Sequence, residues 1–388
     1  MGEANSAARV GPLGPVGPLG PVGAASPVGA VSPVGLAGLV TLAEIEAIAR
    51  TRLLPGVLDY VAGGSWDETT LADNGAAFRR RQFRASVLSG VMAADVDLST
   101  TVLGRPVPTP FGVAPMAQFG FCHPDAELPA AAAAATAGWT FALSTLSTRS
   151  IEEVARACAP GSPGDRWFQL YVQDDLGVSR SLVERAEAAG YTALVITVDL
   201  PVIGYRDRDL RGTGLALHYG NLPPVGDATT TTIGRRHPPL TWDLIDRVRT
   251  WSSLPMLIKG ILVPEDARLA VEHGAAGVVV SNHGGRQLDR VPAALDALPG
   301  VVAAVGDRAE VYMDGGIRRG LDVVMAVALG ARAVFVGRPV LYGLTIGGEA
   351  GVTRVMEILR RETERAMVLL GVARVADLRP DLVLEARR

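Results

Sequence analysis

Residues 310–339 read EVYMDGGIRRGLDVVMAVALGARAVFVGRP, and this stretch sets the reading of the whole chain. EVYMD is a short apolar run of strand character. GLDVVMAVALG has the length and the closing glycine of a helix, and AVFV is a second strand. Strand, helix, strand with glycines at each junction is one βα repeat of a parallel sheet, and its two strand ends, DGGIRRG and VGRP, carry the glycines and arginines.

Upstream the same unit recurs. Runs of matching character begin at Pro110 (PFGVAPMA), Thr140 (TFALSTL), Trp167 (WFQLYV), Ala193 (ALVITVD), Pro255 (PMLIKGI) and Gly277 (GVVVSN), so with those at Glu310 and Ala333 there are eight candidate strands. Helical stretches lie between them, including LVERAEAAG ending at Gly190 and PEDARLAVEHG ending at Gly274. Eight such units predict a (β/α)8 barrel. Successive strand starts are 22 to 33 residues apart, except for 62 between the fourth and fifth. The excess is an insertion over about 207–240, rich in Gly, Pro and Thr, which the barrel rule places over the C-terminal mouth. It reads as a lid, with a plain surface loop as the alternative.

Before the first strand, helical periodicity starts at Thr41, with Leu42, Ile45, Ile48 and Ala49 on one face. This gives an N-terminal helical extension to a domain over 41–388. Residues 1–40 differ: Pro-Val-Gly recurs at 15, 21, 27 and 33, a pattern expected of a disordered leader. The chain has 388 residues and net charge −3, with 48% apolar and 20% charged residues. Near-balanced charge argues against nucleic acid or an anionic membrane as partner, and no apolar run approaches a membrane span of roughly 20 residues. Two cysteines, Cys122 and Cys158, form neither a disulfide framework nor a metal-spaced pair, which points to a reducing cytoplasm and no bound metal.

Chemistry in such barrels sits at strand C-termini. In SNHGGRQLD (281–289) a histidine able to exchange a proton near neutral pH stands three residues before an arginine suited to a carboxylate, across two glycines. Ser281 opens that run. The glycines of DGGIRRG and GRP lead into helix N-termini, the usual phosphate site, with Arg318 or Arg338 as a charged donor. The polar residues Ser144, Gln169, Tyr171, Thr197, Asp199, Lys259 and Asp314 end other strands. His123, His218, His237 and His273 lack such company and read as structural or solvated.

From LDYVAGGSWDETTLADN (58–74), APMA (114–117), FQLY (168–171), TVD (197–199), IKGI (258–261), SNHGGRQLD, DGGIRRG and VGRP, the chain resembles the FMN-dependent 2-hydroxy-acid oxidases and dehydrogenases over about 41–380. The resemblance implies FMN as cofactor and oxidation of an (S)-2-hydroxy acid to the 2-oxo acid, with O2 or another electron acceptor. It makes His283 the catalytic base, Asp199 its orienting carboxylate, and Arg206 and Arg286 the clamp on the substrate carboxylate, helped by Tyr60 and Tyr171. Lys259 would stand beside the isoalloxazine, Pro115, Met116 and Ala117 would line it, and Ser144, Gln169 and Thr197 would bond its edge. Asp314, Gly316, Arg318, Gly337 and Arg338 would hold ribityl and phosphate. A homotetramer is implied as well. Ala117 matches oxidases, where several dehydrogenases have glycine. Leu146 replaces a bulky tryptophan of glycolate oxidases, which with Phe119 and Phe121 as aromatic walls suggests a mandelate-like or medium aliphatic substrate. Another FMN-barrel oxidoreductase or isomerase, or a non-catalytic FMN-binding homologue, is the alternative. The first would not need both arginines.

Overall fold

The computed structural model describes residues 33–158, 164–211, 215–222 and 238–386. Eight parallel strands close a barrel: β1 (Phe111–Val113), β2 (Phe141–Ser144), β3 (Arg166–Leu170), β4 (Ala193–Thr197), β5 (Met256–Ile261), β6 (Gly277–Val280), β7 (Glu310–Asp314) and β8 (Ala333–Val336). They pair in chain order, and Val334–Val336 of β8 return to Phe111–Val113 of β1. Each strand is followed by a helix on the outside: α1 (Leu128–Ala137), α2 (Ile151–Ala157), α3 (Leu176–Ala188), α4 (Trp242–Arg249), α5 (Pro264–Glu272), α6 (Ala294–Val305), α7 (Gly320–Ala328) and α8 (Arg338–Leu370). This is the (β/α)8 barrel expected. Strands covered on both faces have no solvent side, which is why they read as apolar runs rather than alternating ones.

Two apolar layers hold the barrel. One lies between strands and helices. The other fills the interior, where Trp167, Leu257, Tyr312 and Phe335 meet Val102 and Val107 of a hairpin formed by Thr100–Val102 and Arg105–Val107. The hairpin closes the N-terminal end: Leu103 N–H donates to the Glu310 carboxylate (2.9 Å), which also accepts from the Tyr312 hydroxyl. With that end plugged, the cavity among the described residues opens at the C-terminal mouth. The helix-ending glycine after α7 is required sterically, since Gly330 has φ +106° and a Cβ there would come within 2.8 Å of Val302.

The N-terminal extension comprises helices Leu42–Arg52, Pro55–Ala62 and Thr69–Arg79. Thr41 caps the first in a capping box with Glu44, and Leu42, Ile45 and Ala49 are buried as the periodicity predicts. Within the stretch read as a leader, Pro33–Ala37 forms a helical turn, Leu36 is 4% exposed, and Arg354 of α8 donates to the carbonyls of Ala37 and Leu39, so these residues pack against the barrel's last helix. The rest of the proposed leader, 1–32, lies outside the described residues. α8 is broken at Gly347 and Gly348, whose backbones are not helical.

The insertion after β4 begins with a short helix, Asp207–Leu210. Residues 215–222 are fastened to the barrel: Gln118 Nε2 donates to the His218 carbonyl (2.7 Å), and Asn221 accepts from Ile151 N–H and donates to Ser147 Oγ, both at 2.8 Å. The TTTTIG segment at 229–234 lies outside the described residues.

Candidate active site

One cavity occupies the C-terminal mouth, lined from every barrel strand or the loop after it. The turn after β6 places its central group. His283, Gly284 and Gly285 all have left-handed backbones (φ +59°, +64° and +74°), and a Cβ at Gly285 would lie 2.6 Å from Leu71. A non-glycine residue there is strained, a cost that structures tolerate at functional positions. The turn sets His283 Nδ1 2.9 Å from Asp199 Oδ1 and Nε2 3.2 Å from the Tyr171 hydroxyl. An Nδ1 proton donated to the carboxylate leaves Nε2 as the lone-pair nitrogen.

Burial is the largest influence on His283 and pushes its pKa below the ordinary value, against the pull of Asp199. Burial pushes Asp199 upward, but His283 and then Lys259 outweigh it and hold that carboxyl below the usual range. Both directions favour a neutral imidazole beside an ionised carboxylate. Asp199 Oδ2 is buried without a hydrogen-bond partner, which leaves the carboxylate able to respond to a positive charge arriving on the ring.

The two predicted clamp arginines meet here. Arg206 Nε donates to the Arg286 carbonyl (3.0 Å) and Nη2 to Gln287 Oε1 (3.3 Å). Arg286 Nη1 is anchored on the carbonyls of Tyr60 (2.6 Å) and Gly63 (2.9 Å), and its guanidinium carbon lies 5.1 Å from the Tyr60 ring centroid. Burial, then the neighbouring Arg286, pushes Arg206 down to about 10, so it stays charged at neutral pH. Two cations thus face the same cavity as His283.

Below them a polar row crosses the barrel: Ser144 Oγ donates to Gln169 Oε1 and Gln169 Nε2 to Thr197 Oγ1, both at 3.0 Å. Lys259 Nζ lies 2.7 Å from Ser281 Oγ and 3.1 Å from Asp314 Oδ2, while the Ser281 hydroxyl donates to Asp314 Oδ1 (2.6 Å). Burial opposes the charge on Lys259, but Asp314 and then Asp199 outweigh it and hold the ammonium above its ordinary range. Pro115, Met116 and Ala117 line the same cavity, as do Gly316, Arg318, Gly337 and Arg338. A Cβ on Gly316 (φ +81°) would come within 2.2 Å of the Asn74 carbonyl, so only glycine permits this close turn. An amide and hydroxyl row, a buried ammonium and a glycine-lined helix N-terminus suit a planar heterocycle carrying a phosphate. The residues fit FMN.

The Arg338 guanidinium donates to the carbonyls of Val61, Gly63 and Gly284 (2.8–3.0 Å) and so braces the loop, while each of its terminal nitrogens carries a second N–H and the residue lines the cavity. The backbone N–H at the start of α8 is a further donor available to a phosphate. One assignment changes. Phe119 is not a substrate wall: it is 1% exposed and packs on Phe141, while Phe121 meets Tyr60 edge-on. Leu146 does line the cavity, joined by Leu215, Leu217 and Tyr219 of the insertion.

Sequence reading also missed the bolts of the site. Gln287 Nε2 donates to the carbonyls of Asp199 (2.8 Å) and Val202 (2.9 Å), and its Oε1 accepts from Gly204 N–H, which ties the base loop to the Arg206 loop. Asn74 and Asn282 exchange two amide hydrogen bonds of 2.8 Å, and Asp289 accepts from Thr70 N–H (2.7 Å) at the start of helix Thr69–Arg79. Their presence in the DETTLADN and SNHGGRQLD motifs was the available signal. The other histidines are placed as expected where described: His273 pairs with Asp246 and stacks on Trp242, and His123 lies beside Asp125. His237 lies outside the described residues.

A cavity that fits FMN, with a paired-arginine and histidine cluster at its mouth, matches one class, the barrel oxidoreductases that draw electrons from small organic acids. The family model described as FMN-dependent dehydrogenase matches residues 49–385, and the chain belongs to this family of FMN-dependent 2-hydroxy-acid oxidases and dehydrogenases. It is 47% identical over 349 residues to an L-lactate oxidase of Nostoc sp., covering 86% of this chain and 95% of that one. A glycolate oxidase of Spinacia oleracea is 43% identical over 341 residues, 84% of this chain and 91% of the relative. Among solved structures, a mandelate oxidase variant with (S)-mandelic acid superposes with TM-score 0.80 at 42% identity, covering 89% of this chain and 98% of the other.

Proposed function

We propose that the protein oxidises an (S)-2-hydroxy acid larger than glycolate to the 2-oxo acid and passes the electrons to O2, forming hydrogen peroxide. The observation that carries this reading is the convergence of His283 Nε2, the Tyr171 hydroxyl and the Arg206–Arg286 pair on one cavity. Arg206 and Arg286 bind the substrate carboxylate, and Tyr171 and His283 receive the hydroxyl-bearing carbon. His283 Nε2 takes the proton released as that carbon is oxidised, and Asp199 stabilises the imidazolium through Nδ1. Bound FMN supplies the two-electron acceptor. Lys259 keeps a positive charge at the wall where electron density accumulates. In stoichiometry, the hydroxy acid loses two electrons and two protons, and O2 gains both to give H2O2.

Substrate size is argued from the walls. Leu146 leaves room that an indole would fill, and Leu200, Ile203, Leu215 and Leu217 make the remainder apolar. Ala117 beside the flavin position supports O2 as acceptor. Two free, buried thiols, Cys122 and Cys158, are compatible with a cytoplasmic location, and a homotetramer is the assembly to look for by light scattering. The test is peroxide yield and kcat/KM over glycolate, (S)-lactate, (S)-2-hydroxyoctanoate and (S)-mandelate. One of the last two should lead; glycolate in first place sinks the size argument, and turnover with dye acceptors but without peroxide sinks the oxidase.

A further inference from the structure

The short helix Asp207–Leu210 brings a third charged group to the arginine pair. Asp209 lines the cavity, and one of its carboxylate oxygens, Oδ2, lies 3.7 Å from Arg206 Nη1 and 4.0 Å from Arg286 Nη2. The hydrogen bonds that fix the two guanidinium groups use Arg206 Nε and Nη2 and Arg286 Nη1. Asp209 meets the other terminal nitrogen of each. Both separations exceed hydrogen-bond length, so the carboxylate balances the pair by charge without a committed bond. Its side chain is 23% exposed, against 12% and 15% for the arginines, which puts it on the solvent side of them. The helix itself is held by the next-door residue: Arg208 pairs with Glu68 at 2.6 Å and with Asp59 at 3.7 Å.

Two guanidinium groups side by side in a buried site repel each other, and an anion shared between them relieves that repulsion. We propose that Asp209 sets the affinity of the site: in the free enzyme its carboxylate stands in for the substrate carboxylate between Arg206 and Arg286, and an incoming acid must displace it. A weak anion with nothing else to offer loses this competition. A 2-hydroxy acid wins it through its added contacts with His283, Tyr171 and the apolar walls. The inference rests on the reading that these arginines take the substrate carboxylate, and the test separates the two.

The probe is acetate, titrated into the FMN-loaded protein and followed by perturbation of the flavin absorption band and by the rise in melting temperature. Asp209→Asn should bind acetate about tenfold more tightly than wild type, a fold-change suited to losing two partly buried charge contacts. Its KM for the preferred hydroxy acid should fall by a similar factor, with a smaller change in kcat. Asp209→Glu, which keeps the charge, should bind acetate as weakly as wild type. Unchanged or weaker acetate binding by Asp209→Asn, or tight binding by Asp209→Glu, overturns the stand-in role. Arg286→Ala should lose acetate binding in either background; if it does not, the clamp reading falls, and the inference with it.

Discussion

Replacing Asp199 with Asn keeps the shape beside His283 and removes the charge. The pair is a 2.9 Å contact between Nδ1 and Oδ1, both side chains under a fifth exposed. A charge-assisted hydrogen bond of this kind contributes roughly 1.5–3 kcal/mol net. Taking about 2 kcal/mol as lost where the imidazolium forms predicts a fall of roughly 30-fold in kcat/KM. The pH dependence fixes the cause. His283 acts as a base only when neutral, so the rate rises with pH through its pKa. Burial already holds that pKa below the ordinary value of about 6.5, and Asp199 pulls it back up. Without the carboxylate the pKa drops further, so the acid limb of the kcat/KM profile must move to lower pH while the plateau falls. Steady-state rates from pH 4.5 to 9 would show both. An unchanged plateau, or an acid limb displaced to higher pH, refutes the assigned roles of this pair.

Gly316→Ala forces a Cβ to within 2.2 Å of the Asn74 carbonyl at φ +81°, and should lower stability by about 2–4 kcal/mol, seen as a reduced melting temperature and lower FMN content after gel filtration. Lys259→Met leaves Asp314 buried beside Ser281 without its cation, which should cost about 3–5 kcal/mol in denaturant unfolding; an unchanged unfolding midpoint would refute it. Leu146→Trp narrows the pocket and should shift the kcat/KM ratio of mandelate to glycolate toward glycolate by at least about tenfold; an unchanged ratio would remove Leu146 from the substrate wall.

Much of the barrel is written locally. Fully buried strand segments such as ALVI at 193–196 and GVVV at 277–280 are apolar throughout, and the glycines that end helices are needed for their backbone angles, so both leave marks readable without partners. The candidate site was legible because SNHGGRQLD concentrates His283, Arg286, Gln287 and Asp289 in nine consecutive residues, and the structure brings the first three to the cavity or the loops around it. The misses share a different cause. Asn74 bonds Asn282 across 208 positions, and Arg338 also donates to carbonyls near residue 62, so their bracing roles depend on long-range neighbours that a linear pattern does not reveal. Phe119 follows a left-handed Gln118 (φ +59°) and packs into the core against Phe141, a reversal that no hydrophobic pattern announces. The hairpin plugging the barrel has strands of three residues each, too short to show a period.

FMN binding in this cavity, with proton transfer to His283 from a 2-hydroxy acid held by Arg206 and Arg286, is open to experiment. Its most direct test is the anaerobic visible spectrum of the wild type and of His283→Ala as (S)-mandelate, (S)-lactate and glycolate are added in turn. The expected result is a yellow protein whose flavin band bleaches with a hydroxy acid and recovers in air, and a variant that stays yellow and does not bleach. Bleaching of His283→Ala at the wild-type rate, or a wild-type band that no 2-hydroxy acid reduces, would contradict it.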